Sequence, residues 1–209
     1  MRVSEITIES LPLCSRTPLQ WGEQVLQNPV ALLADHAALE KKAAMNALEL
    51  LPRWPDDAYP GWVEAMTGIA RDETNHLSRV TRLLARRGGT LERGHSNPYA
   101  KDLRALVRRG GTGETVDRLL VSALIEARSC ERFSVLAQAS TADEELHSLY
   151  HQLFSSELSH YNIFVKLACK ADPAKADMRW NQLLREEALI LERQEPGPRI
   201  HSGFRKTGS

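Results

Sequence analysis

At 209 residues the chain is long enough for one domain with a full hydrophobic core, and short for two. Its formal net charge is zero, so no global field recommends a nucleic acid or a membrane surface as partner. No internal run approaches the roughly 18 apolar residues that span a bilayer, and the N-terminus lacks a basic region followed by an apolar one; a soluble, cytoplasmic protein is expected.

Aromatic residues make up 6% of the chain, and Gly and Pro gather between periodic stretches, a pattern that favours an all-α protein. Residues 1–27 have weak periodicity and read as an N-terminal arm. Asn28-Pro29 is a helix start, because Asn caps and Pro at the first helical position lacks only an N–H that would be unpaired there anyway. Leu32, Leu33, His36, Leu39, Glu40, Ala43, Ala47 and Leu50 then recur at helical spacing until Pro52 and Pro55. A second helix is expected from about Pro60 to Arg87, with Met66, Ile69, Glu73, His76, Val80 and Leu83 along its inner stripe and Gly88-Gly89 as its stop.

The segment from Gly88 to Gly113 is rich in Gly, Arg and turn residues, Asn97-Pro98 among them. It suits a long crossover with a short helix around Leu103 to Arg108. A third helix from about Glu114 to Ala139 carries Leu119, Ala123, Glu126 and Phe133. A fourth, from about Ala142 to Cys169, carries Leu146, Leu153, Glu157, His160 and Phe164. Asp172-Pro173 opens a fifth, to about Arg193. The predicted organisation is the arm 1–27, a four-helix bundle with one long crossover between two hairpins plus a C-terminal helix over 28–193, and a polar tail over 194–209. Cys14, Cys130 and Cys169 form no Cys-x-x-C pair and read as buried thiols.

Two of the inner stripes contain residues that do not belong in an apolar core. Glu73-x-x-His76 and Glu157-x-x-His160 each set a carboxylate and an imidazole about 60° apart around a helix, so both reach the same side. Burying such groups costs several kcal/mol unless something pairs with them, and a metal supplies that pairing. Glu40 lies 33 residues before Glu73 and Glu126 lies 31 before Glu157, so each half repeats a lone Glu followed by Glu-x-x-His on the partner helix. Four carboxylates neutralise two divalent cations, and the mixed oxygen and nitrogen donors suit iron or manganese better than a closed zinc site or an all-oxygen magnesium shell. Glu131 competes with Glu126 but has fewer apolar neighbours on its face. Glu144-x-x-His147 falls in a first helical turn off the stripe and is set aside; Glu49 and Glu64 read as solvated. His36, one turn before Glu40, reads either as a partner of that carboxylate or as an ordinary core histidine, the second being favoured.

The strings around these residues are "LADHAALEKKAAMNALELL" at Glu40, "ARDETNHLSRVTRLLARRGG" at Glu73 and His76, "LLVSALIEARSCERF" at Glu126 and "FSSELSHYNIFVKLA" at Glu157 and His160. With the crossover string "NPYAKDLR", the chain resembles the ferritin-like di-iron carboxylate superfamily and, within it, the tRNA 2-methylthio-N6-isopentenyladenosine hydroxylase family, from about Asn28 to Arg193. The resemblance implies a ferritin-like bundle and a metal set of Glu40, Glu73, His76, Glu126, Glu157 and His160. It also implies two iron ions, O2 as co-substrate, an external electron donor such as a reductase or ferredoxin-like protein, and hydroxylation of the isopentenyl side chain of the modified adenosine beside the tRNA anticodon. No catalytic residue beyond the metal ligands is expected.

Between Arg79 and Arg118 the ten basic residues Arg79, Arg82, Arg86, Arg87, Arg93, Lys101, Arg104, Arg108, Arg109 and Arg118 face only Glu92, Asp102, Glu114 and Asp117. Of these, Arg79, Arg82, Arg86, Arg87, Arg104, Arg108 and Arg109 are candidate phosphate contacts. Two rival readings share part of this pattern. A ferritin- or rubrerythrin-like di-iron oxidase or peroxidase would use the same ligands, although the chain holds no Cys-x-x-C and the arginine-rich crossover suits ferrous ions poorly. A non-enzymatic helical module binding RNA or protein would use the Glu and His residues only for buried hydrogen bonds.

Overall fold

The computed structural model describes residues 11–53, 61–91 and 93–204. Pro55, Pro60 and Glu92 lie outside the described residues, as do residues 1–10 of the arm and 205–209 of the tail. The helices are α1 (Leu19–Val25), α2 (Pro29–Leu50), α3 (Trp62–Arg86), α4 (Pro98–Ala105), α5 (Gly111–Ala139), α6 (Glu144–Ala171) and α7 (Ala176–Glu192).

Local chemistry sets these boundaries. Asn28 accepts the Ala31 N–H and Pro29 occupies the first turn of α2. The same Asn-Pro signature recurs at Asn97-Pro98, where a turn was expected; Asn97 accepts the Ala100 N–H and α4 starts there, several residues before the expected short helix. Asp143 caps α6 through the Leu146 N–H. At the end of α3, Gly88 adopts φ +76° and the Gly89 N–H reaches back to the Leu84 carbonyl, a reversal that a side chain at Gly88 would strain.

α2 packs along α3 and α5 along α6, as two hairpins, and α3 touches α6. The core falls into two apolar clusters. One gathers Leu50, Trp62, Met66, Ile69, Leu119, Leu120, Ala123, Phe164 and Leu167; the other gathers Leu32, Leu33, Val80, Leu83, Phe133, Leu136, Leu146 and Leu153. Each of the four long helices crosses from one cluster to the other, and the buried polar residues Glu40, Glu73, His76, Glu126, Glu157 and His160 occur at the crossing.

Two buried ion networks fasten the peripheral elements. Asp117 on α5 accepts hydrogen bonds from the backbone N–H and guanidinium of Arg108 and from the guanidinium of Arg179 on α7, at 2.7–2.9 Å. Arg128 donates to both oxygens of Glu187 on α7 and to Glu131, while Tyr99 on α4 donates to Glu187 at 2.9 Å. The C-terminal segment is polar in composition, yet Ile200, His201 and Ser202 are buried, and Trp21 of α1 donates to Ser202. Of the three cysteines expected to be buried, only Cys130 is; Cys14 and Cys169 are exposed, because one lies on the arm and the other near the open end of α6.

Burial alone would raise the pKa of Asp117, but the Arg108 and Arg179 guanidiniums outweigh it and hold the carboxyl below its usual value. A depressed folded-state pKa contributes stability above the unfolded value that is lost as pH falls through the folded one. Asp117→Asn should therefore destabilise the fold by about 2–3 kcal/mol at pH 7, a breakage cost discounted because Arg108 reaches solvent. In denaturant titrations that difference should shrink below about pH 4, as the wild-type carboxylate is itself protonated.

Candidate metal centre

The six residues singled out by spacing meet at the middle of the bundle. Glu40 comes from α2, Glu73 and His76 from α3, Glu126 from α5, and Glu157 and His160 from α6; each is at most 5% exposed. They form two overlapping groups, in each of which one ligand atom per residue lies within 4.8 Å of the others: Glu40, Glu73, His76 and Glu157, and Glu73, Glu126, Glu157 and His160. Glu73 and Glu157 belong to both. Each group thus has one carboxylate and one imidazole of its own, and two carboxylates in common.

Both imidazoles turn Nδ1 inward. His76 Nδ1 lies 3.2 Å from Glu157 and 3.5 Å from Glu73, and His160 Nδ1 lies 2.7 Å from Glu73 and 3.8 Å from Glu157. Both oxygens of Glu73, one oxygen of Glu157 and both Nδ1 atoms are nonetheless buried without a hydrogen-bond partner. Orphaned donors and acceptors converging on two points are what a pair of cations would satisfy. Protonation compensates only part of the crowding. Burial raises Glu40 and Glu126 well above the usual carboxylate range, and neighbouring carboxylates, Glu157 for both, push the same way. Burial would raise Glu157 too, but Glu126, His160 and His76 together hold it well below that range. Burial opposes the charge on His76 and His160, yet Glu157 and Glu73 raise them to about 9 and about 10.

The partner of Glu40 is the residue that sequence reasoning considered but ranked as ordinary core. His36 Nε2 lies 2.6 Å from Glu40 Oε1, with its ring tilted against Phe133 and stacked near Tyr150, and burial lowers its pKa to about 3. His36 is therefore neutral, and the hydrogen bond between its Nε2 and Glu40 orients the carboxyl group. The signal was present, since His36 precedes Glu40 by one helical turn on the same face. The other choices fall differently: Glu131 binds Arg128 and Thr17 instead of the cluster, Glu144 is exposed, and His147 donates to the Ala137 carbonyl.

Between α2 and α5 a cavity of about 520 Å³ opens onto the cluster, with Glu40, Glu73, Glu126 and Glu157 in its lining. Leu39, Ala43, Ile125 and Phe133 make apolar wall, and α4 and the C-terminal segment supply the rest. Lys42, Lys101 and Arg104 line the same cavity, but Arg104 is the only one of the seven candidate phosphate contacts that does. Arg79, Arg82 and Arg86 line a separate groove between α3 and α6, where Arg79 donates to Gln152 and Arg86 to Glu145. Arg87 grips Asp143 through both guanidinium nitrogens, Arg108 is held by Asp117, and Arg109 is exposed at the end of the crossover.

A family model described as "tRNA-(MS[2]IO[6]A)-hydroxylase (MiaE)" matches residues 5–202. The chain belongs to this family. A relative from Pseudomonas putida, named tRNA 2-(methylsulfanyl)-N(6)-isopentenyladenosine(37) hydroxylase, is 38% identical over 90% of both chains. A relative of the same name from Salmonella typhimurium is 29% identical over 83% of this chain and 63% of its own length. A solved structure, "Protein 43 with aldehyde deformylating oxygenase activity from Synechococcus", superposes with a TM-score of 0.83 at 34% identity, covering 94% of this chain and 98% of that one. The all-α, ferritin-like architecture is shared with that structure. Within the family frame, the shared carboxylates give the centre a testable asymmetry. Wild-type protein should hold about two metal ions per chain, Glu40→Ala about one, and Glu73→Ala or Glu157→Ala well under one, by elemental analysis of protein expressed with iron. Glu144→Ala with His147→Ala should keep the wild-type content.

Proposed function

We propose that this chain hydroxylates the isopentenyl side chain of (2-methylthio-)N6-isopentenyladenosine beside the anticodon of tRNA, using two iron ions, O2 and electrons from a reductase or ferredoxin-like donor. The observation that carries the reading is the cavity: carboxylates at its floor, apolar residues on its walls, and Lys42, Lys101 and Arg104 around it. Its volume is in the range of small-molecule sites and suits one modified nucleoside rather than a folded partner.

Glu40 and His76 would hold one iron, Glu126 and His160 the other, and Glu73 and Glu157 both. When bound, the pair supplies the oxidising power to break an allylic C–H bond with O2 and external electrons. The protein's own contribution is positioning. His36 fixes the Glu40 carboxylate, and Leu39, Ala43, Ile125 and Phe133 give an apolar lining that keeps water from the side chain to be oxidised. A base beside the anticodon must leave its stack to reach this depth, and single-stranded loops allow that at a cost of a few kcal/mol. Lys42, Lys101 and Arg104, which line the cavity, would meet phosphates flanking the extruded nucleotide; charges in the α3–α6 groove stand away from that cavity.

Deleting the gene should abolish the hydroxylated isopentenyladenosine in tRNA hydrolysates and accumulate its unhydroxylated precursor, as read by nucleoside mass spectrometry; an unchanged profile would remove the proposal. Lys101→Glu with Arg104→Glu should weaken tRNA binding at least about tenfold and reduce the slope of log affinity against log salt by about 2, whereas Arg82→Glu should change neither by more than about twofold.

A further inference from the structure

His201 reaches the cavity from the C-terminal segment, and among the described residues nothing hydrogen-bonds its Nε2. The residue is 5% exposed, it lines the cavity that contains the metal-centre carboxylates, and its Nε2 has no hydrogen-bond partner. The proton position follows from its neighbours. Asn97 commits its Oδ1 to the Ala100 N–H at the start of α4, which leaves its Nδ2 facing His201 Nδ1 at 3.4 Å. Nδ1 therefore accepts, and the single proton of a neutral ring lies on Nε2. Burial, with the Arg132 and Arg128 guanidiniums nearby, lowers the His201 pKa well below its usual value, so the ring is neutral.

The ring has little freedom to turn away. It stacks on Tyr99 with centroids 4.5 Å apart and planes 19° from parallel, and Tyr99 is itself held by Glu187. On either side the backbone is pinned: the Ile200 N–H donates to Asp35 at 2.8 Å, and the Ser202 carbonyl accepts from Arg132 at 3.1 Å. The strap then passes so close to the chain before it that a Cβ on Gly203 would stand 1.8 Å from the Gln194 carbonyl oxygen. A buried N–H left unpaired costs about 1–3 kcal/mol, and a ring held this way cannot turn to recover it, so a ligand acceptor in the cavity would.

We propose that His201 is a substrate-recognition residue whose Nε2–H donates a hydrogen bond to an imine-type ring nitrogen of the purine in the cavity, orienting the base so that its side chain faces the metal ligands. This rests on the tRNA hydroxylase reading. A neutral N–H donor matches a neutral ring acceptor, while the cavity's phosphate-compatible groups are the cations Lys42, Lys101 and Arg104. The acceptor is one of the purine nitrogens N1, N3 or N7.

The test uses iron-loaded full-length enzyme and anticodon stem-loops carrying the natural modified adenosine or its 1-deaza, 3-deaza or 7-deaza analogue, with kcat/KM as readout. With the natural substrate, His201→Leu should lower kcat/KM about 5- to 100-fold, and His201→Gln, which keeps an N–H donor, should recover most of that loss. With wild-type enzyme one deaza analogue should lose a similar factor, and His201→Leu should lose nothing further on it. The wild-type comparison does not depend on how the variants fold. Equal, additive losses for wild type and His201→Leu on all three analogues, or a His201→Leu kcat/KM within about twofold of wild type, would overturn the assignment. If wild-type enzyme failed to hydroxylate the natural stem-loop, the tRNA reading would fall, and this assignment with it.

Discussion

Four carboxylates sit side by side in the interior of this bundle with only two imidazoles of the metal set to balance them. A buried charge costs several kcal/mol even after relaxation, and mutual repulsion adds to it, so the layer of Glu40, Glu73, Glu126 and Glu157 is the feature around which the other elements are arranged. It divides the apolar core into two clusters, each of which must hold the four long helices at a spacing set by the polar residues between them. Protons relieve the layer in part, as the raised pKa values of Glu40 and Glu126 indicate. Two divalent cations would relieve it fully, which couples metal loading to the stability of the native spacing.

The same spacing creates the route to the centre. α2 and α5 stand apart where their hairpins might have closed, and the gap is walled by α4 and the C-terminal segment. Tyr99 of α4 is held by the Glu187–Arg128 network, and Asp117 with Arg108 and Arg179 ties the end of the crossover and α7 to α5. Asp35 links α2 to the crossover and to the C-terminal segment, accepting from His95 at 2.7 Å and from the Ile200 N–H. Substrate access is thus built from the least regular parts of the chain, which are positioned by buried charge and hydrogen bonds together with a few core contacts from Tyr99, Leu103 and Ile200.

That division explains what could be read from the amino-acid sequence. The four long helices and the six central residues were legible because one periodicity governs both: a Glu or His that continues an apolar stripe must point where the Leu residues point. Glu126 could be separated from Glu131 by the near-equal intervals in the two halves, and the structure gives Glu131 to Arg128. For His36 the ordinary core was favoured over a partnership with Glu40, because an imidazole among Leu and Ala carries no mark of its partner even when a Glu lies one turn away. The arginine-rich segment shows a different limit. Charge density along the chain says nothing of acidic partners distant in sequence: Asp143 takes Arg87 and Glu145 takes Arg86, while Asp117, inside the segment, takes Arg108. Nor could composition reveal that a polar tail delivers Ile200 and His201 to the cavity, since that depends on three-dimensional anchors at Asp35, Trp21 and Arg132.

On the proposed reading Glu73 and Glu157 would serve both cations, with Glu40 and His76 of one hairpin completing the first and Glu126 and His160 of the other hairpin completing the second. Anomalous diffraction at the iron edge from crystals of iron-loaded protein addresses it directly. The expected result is two peaks about 3.5–4 Å apart, one against Glu40 and His76, the other against Glu126 and His160, with Glu73 and Glu157 reaching both. A single peak, or two peaks without those shared carboxylates, would contradict it.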